Sequence, residues 1–468
     1  MATSPELFDT LTQKLQPLPA SSAKNPLRLF VCGPTVYNYL HIGNGRTYLV
    51  FDSFVKYLRA SGIDVFYLQN ITNVDDKIII QAERSKETPE AIAKKYEEAY
   101  LKNMKELGVT AVTKYAPATE FIPQIVDQVE RLLEKGHVYK TDDGYYFDLA
   151  TFPDYGKLAH RTISQAEDGV TRIDESVKKK NRGDFCVWKF SKPGEPIWKT
   201  RLGDGRPGWH IEDTAISEHF FGPQYDIHGA GVDLKFPHHE AEIAQEESVS
   251  GKKPFVTIWM HVGSLTVSGK KMSKSLGNFI TINDFLAKHS AEVLRLMSLS
   301  NHYRSPLDYT EEAVQAYEQS WKNIIEFVEK LQFAEKHSKL VSEKDISESE
   351  KEMADLKERF FGHLHRDFGT PQALAEIFSC MSSVQPNTWK LSKGEAKTYR
   401  QGIGELYGTL GFTLPKQTIP AKVTALVKDR EAARKHQQFV QSDELRKQIN
   451  GLGYNLDDTP FGPFVRPR

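Results

Sequence analysis

The run Arg-Leu-Phe-Val-Cys-Gly-Pro-Thr-Val at residues 28–36 is short, apolar and rich in β-formers, and it closes on a Gly-Pro turn signal. It reads as a buried strand that carries Cys32 to a turn. After His41-Ile42-Gly43-Asn44, residues 46–60 place Tyr48, Phe51, Val55 and Leu58 at helical spacing until Ser61-Gly62 stops the run; residues 64–71 then return as strand. Strand, glycine-containing turn, helix and strand make a βαβ unit. The expected fold class is therefore α/β, a doubly wound parallel sheet whose ligand lies beyond the C-terminal ends of its strands.

Helical patterns follow at about 89–107 and 122–135, with Lys and Glu on their outer faces. From about 136 to 206 the texture changes to short strands, Gly and Pro turns and the cluster Lys178 to Lys180, which reads as an insertion. Strand-like material resumes at 225–229 and 254–260 and completes the sheet, and beyond about Pro306 the pattern is mostly helical. The stretch 336–357, rich in Lys, Glu and Ser, reads as an exposed connection or a solvated helix. A chain of 468 residues has room for about three domains at ~150 residues each, and no internal repeat points to a solenoid.

Composition excludes some classes. Hydrophobic residues make up 39% and charged residues 26%, and no stretch nears the roughly 18 apolar residues of a membrane span, so no membrane role is expected. The first residues lack the basic flank and apolar core of a secretory signal, which leaves a cytoplasmic enzyme as the expectation. Cys32, Cys186 and Cys380 are too few and too far apart for a disulfide framework. A net charge of −1 carries no global argument for nucleic acid, but from Lys416 onward ten Lys or Arg face six Asp or Glu. That tail suits either phosphate contact or a solvated helix pair.

Two elements suit phosphate chemistry. His41-Ile42-Gly43-Asn44 sits where the first strand turns into its helix, where backbone amides and the helix dipole stabilise an anion; alone it reads equally as a packed loop histidine. Lys271-Met-Ser-Lys274-Ser alternates lysines with small residues on a loop after the sheet, so that ammonium groups can follow charge developing on a triphosphate; alone it is a solvated charge run. The pair is more specific than either part. Together they suit a site that handles the phosphates of a nucleotide such as ATP.

The pair HIGN and KMSKS resembles the signatures of class I aminoacyl-tRNA synthetases. CGPTVYNYLHIGNGR, NITNVDDKI, PGWHIED, DIHGAGVDLKFPHHEAEIAQ, HYRSPLDY, Asp367-Phe-Gly-Thr-Pro371 and Asp457-Asp-Thr-Pro-Phe-Gly462 resemble, in order, blocks of the cysteinyl-tRNA synthetases. The resemblance implies a Rossmann-like catalytic domain (1–135 and 207–255) split by a connective insertion (136–206). A stem-contact segment with the lysine loop (256–310), a helical bundle (311–415) and a small α/β anticodon-binding domain (416–468) would follow. It implies attack of the L-cysteine carboxylate on the α-phosphate of Mg²⁺-bound ATP, then acyl transfer to tRNA(Cys); nothing in the sequence resembles a dedicated dimer interface, so a monomer is expected. His41, Lys271 and Lys274 would be catalytic, with Gly43, Asn44 and Asp233 also at the ATP; Asp233 reads nearly as well as a loop cap. Cys32, Gly33, Thr35, Thr72 and Trp209 would meet the amino acid, although Trp209 also suits plain core packing.

His238 and Glu242 stand at i and i+4, a usable pair of zinc ligands that is otherwise a salt-bridged helix face. The family adds Cys32 and a second cysteine in the GWHIE block, and zinc would take the substrate thiolate. Here that second position is Asp213, and zinc accepts carboxylate oxygen, so Cys32, Asp213, His238 and Glu242 form the expected zinc set. Asn44 and Ile80 are smaller departures from the pattern, as is Gly369, at a turn. Two other functions fit parts of the sequence: a ligase joining activated cysteine to a small amine, and a nucleotide- or tRNA-binding paralogue without catalysis. The C-terminal basic segment, with Arg430, Arg434 and Lys435 at helical spacing, argues against the first, and retention of His41, Gly43, Lys271 and Lys274 against the second.

Overall fold

The computed structural model describes residues 4–161, 179–273, 276–340, 343–415 and 418–467. Lys178, Lys274 and Ser275 therefore lie outside the described residues. The chain divides into two compact units, one of Met1–Val314 with Leu364–Thr370 and one of Gln315–His363 with Pro371–Arg468. Among the described residues no helix is long and apolar enough to cross a membrane.

The first unit is built on five parallel strands. Strand β1 (Leu27–Val31) leads into helix α1 (Ile42–Ala60), β2 (Val65–Ile71) and β3 (Lys114–Pro117). Beyond an insertion come α2 (Ile211–Phe221), β4 (Tyr225–Gly231), α3 (Glu240–Ser250) and β5 (Val256–Val262). The order across the sheet is β5-β4-β1-β2-β3, with β1 flanked by β2 and β4, both parallel to it. The direction of winding reverses between β1 and β4, the switch point at whose C-terminal ends doubly wound sheets place their ligands. These strands are nearly continuous apolar runs because both faces of a parallel sheet are covered.

Helix α1 starts four residues before the helical spacing indicates, because His41 caps it. The His41 Nδ1 accepts from the Asn44 amide at 3.2 Å and the Asn44 Oδ1 accepts from the His41 amide at 3.3 Å. The HIGN motif is thus the first helical turn, its donors aimed along the axis. The insertion forms a four-stranded antiparallel sheet, Val138–Lys140, Gly144–Phe147, Phe185–Phe190 and Gly205–Pro207. Its Phe147, Phe185, Val187 and Trp188 share one buried cluster with Ile211, Ala215 and Trp259, so the insertion is packed into the core of this unit.

The segment carrying the lysine loop is tied to α1 by a buried guanidinium. Arg46, in the first turns of α1, donates to the carbonyls of Gly263 at 2.8 Å, Ser264 at 3.0 Å and Ser305 at 2.6 Å. A second arginine, Arg295 on helix α4 (Ala291–Leu299), pairs with the buried Asp52 of α1 at 2.8 Å. The DFGTP turn joins this unit as well: Asp367 accepts from the Phe8 amide at 2.9 Å and the Tyr303 hydroxyl at 2.7 Å, and pairs with Arg304. The left-handed backbone at this turn falls on Asp367 and Phe368, not on Gly369.

In the second unit the helices bury apolar residues at helical spacing, Trp321, Ile324, Phe327 and Leu331 on one and Met353, Leu356 and Phe360 on the next. At its end, helices Ala421–Lys435 and Phe439–Gly451 and the hairpin Tyr454–Thr459 with Gly462–Pro467 enclose Val423, Ile449 and Leu456. Arg430, expected among the basic residues for RNA, is buried and holds Asp458 through two hydrogen bonds of 2.8 Å, and Arg434 pairs with the same carboxylate. Both arginines therefore pin the hairpin to the helix.

Replacing Arg46 with Lys keeps the charge and loses the fork that reaches several carbonyls. With stranded carbonyls costing about 1–3 kcal/mol each, Arg46→Lys is expected to lower the stability of this unit by about 2–4 kcal/mol, read as a lowered urea midpoint of the full chain.

Candidate active site and candidate metal centre

The β1-to-α1 loop, the end of β2 and the first turn of α1 meet at the switch point. The Gly33 amide donates to the Asn70 Oδ1 at 2.6 Å, and any Cβ on Gly33 would stand 1.7 Å from the Asn70 carbonyl oxygen. The loop can pass β2 this closely only without a side chain. Thr35 and Thr72 pair as a parallel bridge, and the Thr72 hydroxyl donates to Glu212. Trp209 is half-buried and stacks on His238 with ring centroids 4.6 Å apart, with the Lys77 Nζ 5.3 Å from its centroid.

Although far apart in sequence, the HIGN turn and the lysine loop are joined through the backbone. The Ile42 amide donates to the Ile280 carbonyl at 3.1 Å and the Ile282 amide to the Leu40 carbonyl at 2.9 Å. The Phe279 ring meets His41 edge-on at 5.3 Å, and a Cβ on Gly43 would stand 2.9 Å from the His41 ring and 3.1 Å from the Met272 methyl. Asn278 braces the loop, accepting from the Ser273 amide at 2.9 Å and donating to the Lys271 carbonyl at 3.2 Å. Lys271 is exposed at this edge, and so is Asp233, beyond the end of β4. Burial lowers the His41 pKa against the opposing pull of Asp233. The Asn44 oxygen is taken up by the cap, so its amide nitrogen is the end that can donate to a ligand.

The expected zinc residues come together. Cys32, Asp213, His238 and Glu242 are all buried, with one ligand atom of each within 4.8 Å of the others. His238 lies in an irregular turn before α3; its Nε2 is 3.1 Å from Asp213 Oδ2 and 2.9 Å from Glu242 Oε1. A second set shares two of these residues: Cys32, His228, His239 and Glu242. There the Cys32 Sγ lies 3.2 Å from His228 Nε2 and 3.3 Å from His239 Nε2, and His228 Nε2 lies 3.4 Å from Glu242 Oε2. Sequence reasoning missed His228 and His239. Their signal was present in the DIHG strand and the doubled His-His of HHEAE, but only the sheet brings a β4 residue beside a residue preceding α3.

The cluster's electrostatics suit a cation. Burial, then Glu242 and Asp213, push the Cys32 thiol well above its usual range. Burial also raises Glu242, to about 7, despite the nearby His238. Burial disfavours a charge on His238, but Glu242 and Asp213 outweigh it and lift it to about 10. Among the described residues Glu242 is approached by imidazoles, His238 Nε2 at Oε1 and His228 Nε2 at Oε2. A buried carboxylate, a thiol and several imidazoles form a donor set that fits a borderline divalent metal such as zinc.

Two outcomes test this geometry. Asn70 braces both the Gly33 loop and, through Nδ2 at 2.5 Å, the buried Asp213 Oδ1. Asn70→Ala strands both partners and is expected to destabilise the chain by about 2–4 kcal/mol in urea unfolding. Because His41 is held below its usual pKa, its capping contribution is complete above the unfolded value of about 6.5 and drains away as pH falls through the lower folded value. An NMR titration of the His41 imidazole should therefore show a midpoint below that of an exposed histidine.

Residues 19–319 match the family model described as tRNA synthetases class I (C) catalytic domain. The chain is 38% identical over 470 aligned positions to "Cysteine--tRNA ligase" of Thermococcus onnurineus, covering 97% of this chain and 98% of the relative. It is also 38% identical to "Cysteine--tRNA ligase" of Methanococcus maripaludis, over 97% of each. In fold it is similar to Mycobacterium tuberculosis methionyl-tRNA synthetase, with a TM-score of 0.62, 14% identity, and coverage of 82% of this chain and 90% of that one. The structural likeness speaks to the fold, and the near full-length identity to the branch: the chain belongs to the cysteine–tRNA ligase family of class I tRNA synthetases.

Proposed function

We infer that this chain activates L-cysteine with ATP and transfers it to tRNA(Cys). The observation that carries the reading is one end of the sheet with two chemistries: a buried cluster of thiol, carboxylates and imidazoles that could hold a metal, and a capped helix start hydrogen-bonded to the segment after the lysine loop. The carboxylate of cysteine attacks the α-phosphate of Mg²⁺-bound ATP, the bond to pyrophosphate breaks, and the terminal ribose hydroxyl of the tRNA then takes the acyl group and releases AMP. Positioning and charge stabilisation carry most of the acceleration in such transfers.

His41, Gly43 and the Asn44 amide receive the nucleotide, with Asp233 toward the ribose and Lys271 and Lys274 over the phosphates. Gly33, Thr35, Thr72 and Trp209 line the amino-acid pocket beside Cys32. Zinc held in the cluster would supply a partner for the substrate thiolate, a distinction from serine that an apolar pocket makes poorly. Cys32 and Glu242 would hold the ion together with imidazole. We place the connective insertion at 136–206, the stem-contact segment at 256–310, the helical bundle at 311–415 and the anticodon-binding domain at 416–468, in a cytoplasmic monomer.

Purified chain is expected to exchange pyrophosphate into ATP only when cysteine is present, and to charge tRNA(Cys); no cysteine-dependent exchange at any zinc level would sink the proposal. Asn is a good helix cap, so His41→Asn keeps the helix start while deleting the imidazole. It is expected to lower kcat for exchange by about 10²–10³-fold, with circular dichroism unchanged.

A further inference from the structure

We propose that Asp367 is a positioning residue for the lysine loop, and that through it RNA bound by the second unit sets the phosphate-handling motifs for acyl transfer. The inference rests on the reading of the chain as a tRNA-charging enzyme and names the residues that carry RNA engagement to those motifs. Residues 364–370 belong to the first unit, while the chain before and after them, at His363 and Pro371, belongs to the second. The helices on either side, Glu343–His365 and Thr370–Val384, therefore leave this turn as parts of the unit that ends in the domain proposed for the anticodon. Three observations carry the proposal.

The first is the backbone of the turn. Asp367 and Phe368 take φ of 57° and 49°, two successive left-handed residues, one of them a bulky aromatic, although a glycine follows them. Such a conformation persists only where surrounding groups over-determine it. The groups that hold it lie in the first unit. Asp367 Oδ1 accepts from the Phe8 amide at 2.9 Å and the Tyr303 hydroxyl at 2.7 Å, its Oδ2 accepts from Arg304 Nε at 2.9 Å, and its carbonyl meets His302 Nε2 at 3.1 Å. The second is the grip on α1. The buried Phe368 ring meets Phe54 edge-on with centroids 5.2 Å apart, and His365 Nδ1 meets the Tyr57 hydroxyl at 3.0 Å. The helix that begins at the His41 cap thus carries the turn on its far half.

The third is the route from this clamp to the lysines, which runs along residues 302–309. At its start the side chains of His302, Tyr303 and Arg304 hold Asp367, while their backbone faces the other way: the Tyr303 carbonyl accepts from the Gly263 amide at 2.8 Å and the Ser305 carbonyl from Arg46 at 2.6 Å. At its end, strand Leu307–Tyr309 pairs in parallel with Leu265–Val267, the strand that leads into Lys270 and Lys271. Asp308 Oδ1 there accepts from the Gly269 amide at 2.8 Å and from the Thr266 hydroxyl at 2.6 Å. A shift of the turn is therefore passed along a hydrogen-bonded segment to the lysine hairpin and is not absorbed by loose chain. A turn held against its own backbone preference has a relaxed alternative close by in energy, and a pull from either adjoining helix biases the two.

The test uses the full-length chain and two RNAs, tRNA(Cys) and a short hairpin that has only its acceptor stem and CCA end. Asp367→Asn keeps a residue that tolerates the left-handed backbone and removes the charge, and Tyr303→Phe removes one hydroxyl from a packed ring. In both variants cysteine-dependent pyrophosphate exchange and charging of the hairpin are expected to stay within about twofold of wild type, while kcat/KM for tRNA(Cys) falls by at least about fivefold, the lower end of coupling between distant sites. A bond with a merely structural role lowers all three together, and that outcome overturns the proposal, as does a wild type that charges the hairpin as well as the tRNA. If Asp367→Asn loses exchange, Tyr303→Phe decides, and loss of exchange in both is the structural outcome. Wild-type exchange with an unchanged ratio of tRNA to hairpin charging in the variants rejects only the role of Asp367, whereas a wild type without cysteine-dependent exchange takes the proposed function and this inference together.

Discussion

The buried guanidinium of Arg46 is the tie on which the catalytic geometry hangs. It sits one turn past the His41 cap and gathers carbonyls from Gly263, Ser264 and Ser305. Those residues frame the strands from which the lysine loop departs. Desolvation lowers its pKa to about 10, which still leaves it charged at neutral pH, and the converging carbonyls compensate the burial. Backbone bonds from Leu40 and Ile42 to the 280–282 segment complete the join. Two motifs that would act on the same phosphates are held to one helix end by groups that never touch a ligand.

The same economy explains several family blocks that carry no chemistry. In HYRSPLDY, Tyr303 and Arg304 hold Asp367 of the DFGTP turn, and in the last block Asp458 holds Arg430 and Arg434. Tyr303, Asp367 and Arg430 are buried partners in these charge-assisted bonds, whereas Arg434 and Asp458 meet at the surface, so loss of an exposed partner strands a buried group at Asp367 and Arg430. The distinctive spelling of these blocks reflects architecture.

Much of the fold was legible because its causes are local. Apolar runs at 28–36 and 64–71 around a helical repeat could only be a βαβ unit, and the observed strands Leu27–Val31 and Val65–Ile71 agree to within a few residues at their starts. The helix start was misplaced because His41 is an unusual cap: periodicity registers buried apolar residues and is blind to a reciprocal side-chain bond at the end. The spacing of Arg430 suits phosphate contact or a solvated helix pair alike, because a helical face shows spacing without showing what lies across it, and Asp458 arrives from a distant strand.

At the cluster the division is sharpest. Sequence alone determined that His238 and Glu242 are candidates by their spacing, and the family resemblance added Cys32 and marked Asp213 as the break in the thiolate pattern. Only the tertiary structure decided that His228 and His239 stand against Cys32 and that Glu242 turns one oxygen toward each set. Coordination depends on distances of a few ångströms between side chains on separate elements. Those distances are set by parallel strand packing, which no spacing along the chain encodes.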